Sequence, residues 1–167
     1  LLLNEIDRIV GHINSVYGTN NWTPIAYFYN SYPFEELSAL YTAADICLIT
    51  SIRDGMNLVC KEYVASKEES DGVLILSELA GASKELIEAI QINPNSTDQI
   101  RDAIMQAIHM SPSESRRRMN ECIEIVKKFN IRHWVRLFFT RLRQIKAFQY
   151  EEIARKRGVI KGICTTY

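Results

Sequence analysis

Glycine and proline are scarce, at 7 and 4 of 167 residues, and 47% of the residues are apolar. That composition excludes a disordered chain and leaves room for one domain with a real core. Neither sign of charge is in excess: 20 Lys plus Arg balance 20 Asp plus Glu, which removes the electrostatic case for a nucleic-acid partner. Only the stretch from Arg141 to Lys161 is locally basic. Cysteines are few, Cys47, Cys60, Cys122 and Cys164, and no pair has the C-x-x-C spacing of zinc or redox sites. A reduced, cytoplasmic chain is the simplest expectation, with Cys47 acting as a small core residue. Nothing approaches the roughly 20 consecutive apolar residues of a membrane span. The start, Leu1-Leu2-Leu3-Asn4-Glu5, has no basic flank or long apolar stretch, so it does not read as a signal peptide. It has no initiator Met either, as expected of a fragment. No Ser–His–acid order and no Asp-x-Asp pair stands out, which argues against hydrolase or metal-dependent transferase chemistry. His12 and His109 have no carboxylate or thiol at ligand spacing, and His133 beside Trp134 reads as a packing feature. Arg116-Arg117-Arg118 reads as a solvated helix face.

What remains is an alternation of strands and helices. Leu2, Ile6, Ile9, Val10, Ile13 and Val16 recur at helical spacing up to Gly18. Ile25-Ala26-Tyr27-Phe28-Tyr29 reads as a strand with its aromatics in the core. Pro33 opens a helix through Leu37 and Leu40. Strands are expected at Ile46–Thr50, Val73–Leu76 and Ile90–Ile92, with a helix after Asn57 and a short one around Leu86. Ser96 with Gln99, and Ser111 with Glu114, have capping-box spacing, and Pro112 suits a first helical position. Asn130 separates the second of these helices from a last one through Trp134, Phe138 and Leu142. The pattern predicts an α/β fold: a Rossmann-like parallel sheet with flanking helices, followed by C-terminal helices. In the strand order 3-2-1-4-5-6 the four strands would be the third to sixth and the strand at Ile25 would lack its neighbour, so either the chain is part of a larger folded unit or the strands pair differently here. Residues 1–148 are read as a partial Rossmann-like domain and residues 149–167 as a basic tail.

The most informative stretch is Arg53-Asp54-Gly55-Met56-Asn57-Leu58-Val59-Cys60-Lys61-Glu62. It joins a buried strand to a helix, the junction where α/β proteins place anionic ligands on free helix-end amides. Asp54 precedes that end and Glu62 follows it by a turn. Carboxylates repel phosphate but accept hydrogen bonds from hydroxyls. The arrangement suits a ligand with a central phosphate and a polyol on either side, such as a nucleotide-sugar. The bland alternative makes Asp54 a helix cap and Glu62 a solvated residue.

Residues 44–59, with Glu62-Tyr63-Val64-Ala65 and Gly72-Val73-Leu74-Ile75-Leu76-Ser77-Glu78-Leu79-Ala80-Gly81-Ala82, resemble the signature of the trehalose-6-phosphate synthases. The resemblance extends from Val10-Gly11-His12-Ile13-Asn14 and Trp22-Thr23-Pro24-Ile25 to His133-Trp134. It implies the C-terminal, donor-binding part of a two-domain GT-B enzyme. Such an enzyme transfers glucose from UDP-glucose to glucose 6-phosphate with retention and without a metal or other cofactor. On the resemblance, Asp54 is the catalytic-site residue that holds glucose hydroxyls, and the main chain of Gly55, Met56 and Asn57 lines the glucose. The amides of Leu58 and Val59 hold the diphosphate, Glu62 takes the ribose hydroxyls, and Leu37 and Tyr32 lie beside the uracil. His12 and Ser15 stand where the family usually has Arg and Gly. Nothing here matches the family's upstream phosphate-gripping Arg and Lys, or its acceptor-binding domain. The expected partners are the two substrates and a missing N-terminal part of the same protein, with no membrane. A homo-oligomer or a place in a trehalose-synthesis complex is left open. The rival expectation is a non-catalytic regulatory paralogue within such a complex.

Overall fold

A computed structural model describes residues 2–67 and 71–163. The chain divides into two compact units, Leu1–Leu37 and Ser38–Tyr167.

In the first unit, α1 (Leu2–Tyr17) carries the expected apolar spacing and stops at Gly18, whose N–H bonds Asn14 O at 2.9 Å. The Asn14 side-chain amide then pairs with the Ile25 backbone in both directions, each bond 2.9 Å long. Residues 25–29 have no regular secondary structure and join no ladder, so the expected strand is not formed. Its aromatics are correspondingly not core: Phe28 and Tyr29 are 63% and 74% exposed. A parallel strand needs a hydrogen-bonded neighbour to satisfy its backbone, and among the described residues this one has none. Helix α2 (Phe34–Ala43) starts after Pro33, as read from the sequence, and crosses into the second unit.

The second unit is built on β1 (Ile46–Ile49), β2 (Val73–Ser77) and β3 (Ile90–Ile92), all parallel in the order β1-β2-β3. This is the 4-5-6 side of the expected sheet. β2 is central and buried along its whole length, as a parallel strand covered on both faces should be. Its side chains alternate. Leu74 and Leu76 join Ile49, Val64, Leu86, Met119 and Ile123 on one face, while Val73 and Ile75 join Ile90, Ile92, Ala103 and Ala107 on the other. The first face is covered by α3 (Leu58–Ser66) and α5 (Pro112–Lys128), the second by α4 (Thr97–Ile108). The short helix expected around Leu86 is instead a 3-10 turn at Gly81–Lys84, and Leu86 drops into the core just after it.

Ser96 and Ser111 cap α4 and α5 by accepting from Gln99 N and Glu114 N, and Pro112 opens α5. The arginine run on α5 is fully paired: Arg116 with Asp71, Arg117 with Glu114 and Glu88, Arg118 with Glu114. The Arg117 and Arg118 guanidiniums hold the Glu114 carboxyl down at about 2. The last helix, α6 (Ile131–Ile163), runs uninterrupted past residue 148 and exposes Trp134, Phe138, Ile145 and Phe148. Cys164, like the end of the basic tail, lies outside the described residues. Among the described residues, no helix is long and apolar enough to cross a membrane.

Candidate nucleotide-sugar site

The loop between β1 and α3 lies at the carboxyl end of the sheet, and its conformation is set by one asparagine. Asn57 has φ 69°, the left-handed region that asparagine tolerates better than most side chains. Its Oδ1 accepts from Cys60 N at 2.9 Å, which makes Asn57 the N-cap of α3. Its Nδ2 donates to Asp54 Oδ2 at 2.9 Å and to Ser51 Oγ at 3.3 Å. The bland reading of Asp54 as the helix cap is therefore wrong. A helix has one N-cap position, and Asn57 fills it.

Asp54 closes the turn instead. Its Oδ1 accepts from Met56 N at 3.0 Å and Asn57 N at 2.9 Å. These hydrogen bonds, led by the Met56 amide, hold the Asp54 carboxyl below the usual carboxylate range, so it is ionised at neutral pH. With Cys60 N taken by the cap, the two remaining amides of the first turn are Leu58 N and Val59 N. Among the described residues neither has an acceptor. Both residues are exposed, at 60% and 43%. The result is a pair of unsatisfied donors at the positive end of a helix.

The loop after β2 locks this turn from below. Ser77 Oγ donates to Ser51 O at 2.6 Å, Gly81 N to Asp54 O at 2.9 Å, and Ala82 N to Met56 O at 2.9 Å. The approach is backbone on backbone, because a Cβ on Gly81 would collide with the Gly55 carbonyl. Gly81→Ala should therefore cost about 1–3 kcal/mol, as overpacking does. Equilibrium denaturation reads this directly; an unshifted midpoint would mean the loop yields freely.

One turn into α3, Glu62 is exposed and receives Tyr41 OH at 3.3 Å. Seven of the nine residues singled out from the sequence thus fall in the β1–α3 loop and the first turns of α3: Asp54, Gly55, Met56, Asn57, Leu58, Val59 and Glu62. Tyr32 and Leu37 belong to the first unit, where Tyr32 meets Phe28 edge-on and Leu37 N bonds Pro33 O. Sequence reasoning missed the side-chain role of Asn57, the lock at Gly81 and the partner of Glu62. The asparagine carried a usable signal, being a favoured N-cap residue directly before a helical run. Among the described residues, no three His, Cys, Asp or Glu side chains converge on a common point for a metal.

Comparison with known proteins identifies the family. The profile of Glycosyltransferase family 20 matches residues 1–144. Over 130 residues the chain is 52% identical to the bifunctional trehalose-6-phosphate synthase/phosphatase of Thermoproteus tenax, covering 78% of this chain and 18% of that protein. Over 131 residues it is 43% identical to the glucosylglycerol-phosphate synthase of Synechocystis, covering 78% of this chain and 26% of that one. It superposes with TM-score 0.80 and 37% identity on a trehalose-6-phosphate protein from E. coli bound with UDP-2-fluoro glucose, over 84% of this chain and 32% of that chain. The chain belongs to glycosyltransferase family 20. It spans about a fifth of the Thermoproteus relative and about a quarter of the Synechocystis one.

Proposed function

We propose that this chain is the donor-binding part of a UDP-forming trehalose-6-phosphate synthase. The observation that carries the reading is the pair of free amides at Leu58 and Val59, with Asp54 before them and Glu62 a turn beyond. A diphosphate takes the amides. Glucose hydroxyls donate to Asp54 and meet the main chain of Gly55, Met56 and Asn57. Ribose hydroxyls donate to Glu62. Tyr32 and Leu37 are assigned to the uracil on the family resemblance alone. As the bond to glucose breaks, negative charge grows on the leaving UDP, and helix-end donors already in place stabilise it without reorganisation. No metal or other cofactor is needed for that step. Retention follows from attack on the face the UDP leaves, with no protein nucleophile at the anomeric carbon. The acceptor is proposed to be glucose 6-phosphate, held on a part of the protein outside this chain. The likeness to a glucosylglycerol-phosphate synthase over a similar length fits a donor part that serves more than one acceptor. The reading places the protein in trehalose biosynthesis in the cytoplasm.

Titration of the full protein with UDP in a calorimeter tests the site. Binding is expected, and Glu62→Ala should weaken it roughly ten- to hundredfold, the range for hydrogen bonds to a charged group. No heat at millimolar UDP would remove the site. Binding that ignores Glu62→Ala would leave that residue a solvated side chain.

A further inference from the structure

We propose that Tyr41 is a positioning residue that presents the Glu62 carboxylate to a ribose cis-diol and so helps the site prefer ribonucleotides. The inference rests on the assignment of Glu62 to ribose. Glu62 stands on the exposed face of α3, and among the described residues it has no cationic partner. A glutamate so placed would sample several rotamers and lose that freedom on binding a ligand. The Tyr41 phenol selects one of them, donating to Oε2 at 3.3 Å. That leaves Oε1 and a second lone pair on Oε2 to accept from two adjacent hydroxyls.

Tyr41 can do this because its own position is fixed. Its ring stands edge-on to Tyr63, with centroids 6.4 Å apart at 83°. Tyr63 is fully buried, and its hydroxyl donates toward Asp45 O at 3.2 Å and Ala44 O at 3.3 Å. Those carbonyls follow directly on α2, the helix that carries Tyr41. Phenol, ring and helix end form one rigid support under a single flexible carboxylate. Partial burial and the nearby Glu62 charge both raise the Tyr41 pKa, so the phenol stays protonated and is the donor.

The experiment compares UDP with 2′-deoxy-UDP by calorimetry on the full protein, for Tyr41→Phe, Glu62→Gln and the double variant. Tyr41→Phe keeps the ring and its packing. It should weaken UDP about threefold to tenfold, the range of one hydrogen bond. It should leave 2′-deoxy-UDP and the melting temperature unchanged, and raise KM for UDP-glucose at constant kcat. In the Glu62→Gln background the same change should add nothing. Equal weakening of both nucleotides, or a further loss in the double variant, would overturn the positioning role. If Glu62→Gln erases the ribose preference while Tyr41→Phe preserves it, only the inference about Tyr41 fails. If Glu62→Gln itself preserves it, the ribose assignment fails first and takes the inference with it.

Discussion

Residues 1–167 on their own should form no trehalose 6-phosphate when incubated with UDP-glucose and glucose 6-phosphate. On the proposed reading, two requirements of the reaction are to be met outside this chain. The acceptor must be held beside the anomeric carbon, because positioning supplies much of any two-substrate rate enhancement. Among the described residues the β1–α3 loop carries a single cationic side chain, Arg53, to set against a sugar phosphate. The donor's charge must also be matched as it leaves, and the amides of Leu58 and Val59 are the donors this site supplies. Removing one preorganised donor from such a site costs about 10²- to 10³-fold in known enzymes, so a site short of its cations falls much further.

Weak UDP binding should survive, because the helix-end amides do not depend on the absent parts. Product analysis of the isolated chain tests the first statement and calorimetry the second. Adding the rest of the protein in trans is expected to restore some turnover. Robust synthesis by residues 1–167 alone would overturn both the donor-part reading and the two-part mechanism.

Whether an element depends on local or distant partners explains which parts of the fold could be read in advance. β1, β2 and β3 were legible because each is a short apolar run between turn residues, and each has a partner in the chain. Residues 25–29 have the same apolar, aromatic composition and form no strand, because strand propensity acts only where a neighbour completes the ladder. The caps at Ser96 and Ser111 were legible because a capping box lies within four residues of sequence. The Gly81 lock was not: it is a contact between two loops some 26 residues apart, and a glycine in a turn gives no sign of what approaches it. The candidate loop was legible as a stretch of residues but not as a division of labour. Spacing placed Asp54 one turn before the helix, where capping and sugar binding look alike. Only the coordinates show Asn57 taking the cap and Asp54 closing the turn.

That division of labour makes a decisive test of Asp54 possible. Asp54→Asn should lower turnover of UDP-glucose about ten- to hundredfold while leaving UDP affinity nearly intact, because the proposed assignment gives the carboxylate to glucose hydroxyls and not to the nucleotide. By itself that result is ambiguous. The new side-chain amide would face Asn57 Nδ2, donor against donor, across the position now bridged at 2.9 Å. Asn57 could flip to relieve the clash only by giving up its bond to Cys60 N, so the turn and the helix start would loosen as well. Exchanging the two residues removes the ambiguity. In the double variant Asp54→Asn/Asn57→Asp, the amide at position 54 donates to a carboxylate at 57. That carboxylate can still accept from Cys60 N, and an aspartate caps a helix as well as an asparagine does. The left-handed backbone at position 57 also tolerates aspartate. The melting temperature should therefore fall in Asp54→Asn and recover in the exchange. Turnover should fall in both, since the acceptor for the sugar hydroxyls has left position 54. Thermal melts beside steady-state kinetics on the full protein separate the two roles. If turnover recovers together with the melting temperature, Asp54 serves only to shape the turn, and its place against the sugar is refuted.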